Sequence, residues 1–117
     1  MKIRNGFVSN SSSSSFLLLT TVENYERAKA NLTKFQLAVA EQMKTEAKVF
    51  GRDMVSFETW NNQGCNWTED FWVEGDLEED PEANPKGEDV RDAFDSFETE
   101  VKKGPKDEYY TKSIDTG

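Results

Sequence analysis

The apolar residues of this chain change their spacing partway along it, and that change confines the fold to one mixing helix with sheet. Tyr25, Ala28, Leu32, Phe35 and Val39 recur at intervals of 3, 4, 3 and 4, with Met43 near the far end, a single stripe along a helix. Thr20-Thr21-Val22-Glu23 reads as a capping box ahead of it, the Thr20 hydroxyl taking an orphan backbone N–H while Glu23 reaches back to the cap. The spacing predicts one helix from there towards Met43, laid over a sheet. From Ala47 the period becomes two: Val55, Phe57 and Thr59 alternate with Met54, Ser56, Glu58 and Trp60, as in a half-buried strand. Gly51-Arg52 suggests a tight hairpin and Asn61-Asn62-Gln63-Gly64 a second turn. Asn66 to Glu74 then reads as a third strand, with Trp67, Phe71 and Val73 on one side.

Further on, residues 75–87 carry Pro81, Pro85 and five acids but little that is apolar beyond Leu77 and Ala83, so they are expected to form an exposed loop unable to order itself. Val90, Ala93, Phe94, Phe97 and Val101 restore the helical spacing, and Lys102-Lys103-Gly104-Pro105 is a strong stop. Glu108 to Ile114, rich in aromatic and β-branched residues, reads as a last strand. With an apolar strand from Phe16 at the front, the order is β-α-β-β-β-α-β. That order is an α+β domain over 16–117, with an antiparallel or mixed sheet and both helices on one face. A serine-rich segment, 1–15, precedes it, either as the edge of the first strand or as a tether, with order expected from near Phe7.

The chain has no histidine, which removes the usual general base near neutral pH and a common ligand for zinc, copper and iron. Ser-His-Asp and Cys-His mechanisms are excluded within it, and the tandem serines lack an activating base. The single cysteine, Cys65, forms no intrachain disulfide and suits a reducing compartment. The glycines are scattered singly, so neither common phosphate-binding loop is present. Asp76, Glu78 and Asp80 alternate like the start of a calcium loop, but Pro81 stands where such a loop requires glycine and Gly87 where it requires glutamate. No apolar run approaches the roughly 20 residues of a membrane span, and the basic Lys2 and Arg4 are followed by serines rather than an export signal. A non-enzymatic protein without cofactor, metal or membrane partner is the expectation.

Gly6-Phe7-Val8-Ser9-Asn10, the run Ser11-Ser12-Ser13-Ser14-Ser15 and Phe16 form a low-complexity tract. Together with Met1 to Asn5, this tract resembles the start of many small, uncharacterised proteins of bacteriophages and prophages. The resemblance covers the first 17 residues. It implies a phage origin, with residence in the cytoplasm of an infected bacterium or in the virion, and it carries no site residues.

Charge is distributed unevenly. Residues 69–100 hold 14 of the 23 acids and only two cations, Lys86 and Arg91. Asp76, Glu78, Glu79, Asp80, Glu82, Glu88, Asp92 and Asp95 should therefore share a negative face that repels nucleic-acid backbones and attracts basic protein surfaces. The function expected is that of a phage accessory protein binding a host or phage protein through this face, as an inhibitor or DNA mimic would. Acidic runs also serve simply to keep a protein soluble. The alternatives are a small virion or scaffold component whose serine arm docks on a neighbour, and a small-molecule binder or enzyme. That last reading uses the Trp60 to Trp67 turn, whose aromatic faces and amides suit sugars or bases.

Overall fold

A computed structural model describes residues 13–62, 65–68, 71, 73 and 77–116. The chain begins with β1 (Ser13–Thr21), followed by α1 (Val22–Lys29), α2 (Lys34–Met43) and β2 (Thr45–Val49). After these come β3 (Arg52–Asn62), the two-residue β4 (Cys65–Asn66), α3 (Val90–Val101), a 3-10 turn at Lys106–Glu108 and β5 (Tyr109–Thr116). The fold is α+β, with an antiparallel sheet in the order β2-β3-β1-β5 and β4 added to β3. No helix among the described residues is long and apolar enough to cross a membrane.

β1 lies inside the sheet, between β3 and β5, with its alternate residues Phe16, Leu18 and Thr20 on the face the helices cover. The register sets Phe16 beside Thr59, Leu18 beside Phe57 and Thr20 beside Val55. Leu18, Thr20, Val55 and Phe57 are buried beneath the helices. An aromatic cluster fills the space between the layers: Phe57 meets Phe97 at 4.7 Å between ring centroids, and Tyr25 meets Phe57 at 5.6 Å and Phe97 at 5.9 Å. Such offset and edge-on contacts add stability beyond area burial. Glu41 accepts a hydrogen bond from the Tyr25 hydroxyl at the edge of this cluster.

Three sequence expectations are corrected. The first helix is two helices, broken at residues 30–33, because Thr33 and Gln36 form a reciprocal capping box that restarts the helix. The stripe survives the break, with Tyr25, Ala28, Phe35 and Val39 all buried. The cap of α1 is Thr21, which accepts from the Asn24 N–H at 3.1 Å, whereas Thr20 stays in β1 and donates to the Glu108 carbonyl at 2.9 Å. The third long strand stops after Asn66: its side-chain oxygen accepts the Thr68 N–H at 2.9 Å, an Asx turn that bends the chain out of the ladder. Trp67, Phe71 and Val73 pack on the core instead, with Trp67 edge-on to Phe94 at 5.8 Å.

Candidate functional site

The acidic surface is built on α3 and on the segment leading into it. α3 buries Ala93, Phe94, Phe97 and Val101, so its spacing turns Asp92 and Asp95 outwards. Asp89 caps the helix by accepting the Asp92 N–H at 2.8 Å, and an acid in the first turn suits the positive end of the helix dipole. Burial, and after it the nearby carboxylates of Glu98, Asp92 and Asp89, push the Asp95 carboxyl above its ordinary range, with Arg91 opposing them. The smaller, like-charge part of that shift reflects the crowding of carboxylates on this side of α3.

Residues 77–87 are not the unordered loop expected from composition. Ala83 and Asn84 are buried, and the Ala83 carbonyl accepts the Phe35 N–H at 3.1 Å, docking the segment on α2. The Asn84 side chain donates to the carbonyls of Glu78 and Glu88 at 2.8 and 2.7 Å and accepts the Glu88 N–H at 3.1 Å. One amide thus does the holding that apolar burial does elsewhere.

The acids proposed from the sequence therefore separate into two kinds. Glu78, Glu79, Glu82, Asp92 and Asp95 are exposed and belong to no ion pair among the described residues. Glu88 and Asp80 are half-buried and serve the fold. The Glu88 carboxylate accepts from the Gln36 amide at 2.6 Å and the Ser96 hydroxyl at 2.5 Å, and the Asp80 carboxylate accepts the Glu82 N–H at 2.9 Å. Asp76 lies outside the described residues. No cluster of three or more potential metal ligands occurs among the described residues.

Of the amino-terminal motif, Gly6, Phe7, Val8, Ser9, Asn10, Ser11 and Ser12 lie outside the described residues, as does the expected onset of order near Phe7. Ser13, Ser14, Ser15 and Phe16 belong to β1, in the middle of the sheet, and Phe16 meets Phe94 edge-on at 6.4 Å. The tract therefore enters the sheet at its central strand.

The Trp60 to Trp67 turn, of which Gln63 and Gly64 lie outside the described residues, is linked by the Trp67 N–H donating to the Trp60 carbonyl at 3.0 Å. Both indoles line a cleft of about 550 Å³ with Leu17, Met43, Glu58 and Phe71. It lies beside the stretch of β3 that neither β2 nor β4 covers, since β2 pairs with β3 only as far as Ser56 and β4 only at Asn61 and Asn62. The sequence alone gave no sign of this gap, which depends on how short β2 and β4 are. Comparison of the chain with protein-family models, with curated proteins and with solved structures finds no match.

Proposed function

We propose that this chain is a non-enzymatic binding protein of phage origin whose exposed carboxylates dock on a basic surface of another protein. The observation that carries this reading is the set Glu78, Glu79, Glu82, Asp92 and Asp95, exposed and without cation partners among the described residues, on a support fixed by Asn84 and Glu88. Glu88 and Asp89, by contrast, are engaged within the fold, accepting from Gln36, Ser96 and the Asp92 N–H. A rigid anionic surface competes with nucleic acid for a basic channel, in the manner of a DNA mimic, and repels nucleic acid itself. It acts in the host cytoplasm, or within the virion if the docking protein is a structural subunit. The test is capture from a bacterial host lysate by the wild-type chain and by a variant with all five acids changed to amides. A defined protein held by the wild type at low salt, released as salt rises and lost by the variant is expected; equal capture by both contradicts the reading.

A second reading, small-molecule binding, is favoured by the two indoles that line one cleft. Quenching or shift of tryptophan fluorescence on titration with sugars or nucleosides would support it, and an unchanged spectrum at millimolar ligand would remove it.

A further inference from the structure

The open face of the sheet, opposite the helices, carries three rows of side chains set by the register across β3, β1 and β5. Trp60, Ser15 and Ile114 form one row; Glu58, Leu17 and Lys112 the next; Ser56, Leu19 and Tyr110 the third. Trp60, Tyr110 and Ile114 are 43%, 53% and 46% exposed, and Leu17 and Leu19 are half-buried. None of the five belongs to the buried core or packs against it. Large side chains clustered in this way on an open face mark an interaction surface.

We propose that this face is the interface of a homodimer, two copies stacked sheet on sheet about a two-fold axis running along β1. The charges select both the occupant and the axis. Glu58 and Lys112 flank Leu17 on opposite sides. A two-fold along β1 exchanges those sides, so each copy's Glu58 faces the other's Lys112 and Leu17 meets Leu17. The same operation sets Trp60 against Ile114 and Ser56 against Tyr110, apolar against apolar and hydroxyl against hydroxyl. A two-fold across the strands would instead oppose Glu58 to Glu58 and Lys112 to Lys112, and like-charge contacts across an interface are costly. The face is thus complementary to itself in one orientation only, which is what an isologous contact requires. Neither Glu58 nor Lys112 forms an ion pair within the described residues, so both are available.

Size sets the strength of the contact. Three strands at about 4.8 Å spacing and about seven residues of 3.3 Å each give a face of roughly 330 Å² in projection. Two such faces bury on the order of 700 Å², the size of a weak, reversible contact. The dimer therefore dissociates on dilution. Each copy carries a net charge of -9, so association strengthens as salt screens the mutual repulsion towards physiological strength. The acidic surface on α3 lies on the other side of the sheet, so the dimer stands independently of what that surface binds.

Sedimentation equilibrium at physiological salt tests the proposal over about a hundredfold range of concentration, using wild type, Glu58→Lys, Lys112→Glu and the double exchange. Circular dichroism confirms that each is folded. The wild type is expected to form a reversible dimer, each single reversal to weaken it at least about tenfold, and the double exchange to restore it to within about threefold. Trp60→Gln, which leaves the charges in place, is also expected to weaken it. A wild type that stays monomeric throughout, single reversals without effect, or a double exchange that fails to restore association would each overturn the proposal.

Discussion

Gly104 lies against the side chain of Asn24 so closely that a β-carbon on Gly104 would fall 2.1 Å from the Asn24 Oδ1. Asn24 has no freedom to move aside. It is buried, donates to the Thr20 hydroxyl at 3.0 Å and the Val101 carbonyl at 3.1 Å, and accepts from Arg27 Nε at 3.0 Å. One amide ties β1, α1 and the end of α3 together.

Gly104→Ala should therefore cost about 1–3 kcal/mol, by forcing the Asn24 network apart. Urea unfolding reads the change in midpoint. Because the two residues share one contact, Asn24→Ala with Gly104→Ala should cost less than the sum of the single changes.

Phe50 and Gly51 both have positive φ, 52° and 79°, the backbone of a two-residue hairpin turn between β2 and β3. Phe50 is wholly exposed there, so its ring contributes no burial to offset the unfavourable backbone. Phe50→Asn should stabilise the fold by roughly 0.5–1 kcal/mol, read as a raised thermal midpoint. A lowered midpoint would mean that the ring has a partner.

Glu88→Ala removes the acceptor of Gln36 and Ser96 and should destabilise by about 1–3 kcal/mol. Glu79→Gln, at an exposed position, should stay within about 0.5 kcal/mol of wild type. Parallel denaturation curves of the two variants separate acids that build the surface from acids that compose it.

Glu41 and Asp95 act oppositely with pH. The Tyr25 hydroxyl, with weaker help from Lys44 and Lys29 and against some burial, holds the Glu41 carboxyl below its ordinary range. Its contribution is present above the unfolded value and is lost as pH falls through the lowered folded value. Tyr25→Phe should reduce that acid-side loss, with the Glu41 carboxyl resonance titrating closer to its ordinary value. For Asp95, shifted upwards, the folded state binds the proton more tightly, so its cost appears as pH rises from the unfolded value through the folded one. Asp95→Asn should be neutral or slightly stabilising at pH 7 and indistinguishable from wild type in acid.

The parts of the fold legible in the sequence are those fixed by local burial. The two helical stripes and the alternation from Met54 to Trp60 show which faces are apolar, and Leu18, Phe57 and Phe97 meet where those faces converge. The break at residues 30–33 was hidden because both helices keep the stripe in phase, although Thr33 and Gln36 already carried a capping-box spacing. Of the candidate surface, the carboxylates could be counted but their roles could not. Glu88 is structural only because Gln36, 52 residues earlier, reaches it. Asn84 orders a segment whose composition argues for disorder, through bonds that no hydropathy pattern records.

Hydrogen exchange on the chain, free and with the protein it captures, tests the docking surface most directly. The account predicts slowed exchange across residues 77–96, the segment bearing Glu78, Glu79, Glu82, Asp92 and Asp95, with the protection fading as salt is raised. Protection absent from that segment and confined to β1, β3 and β5 would contradict it.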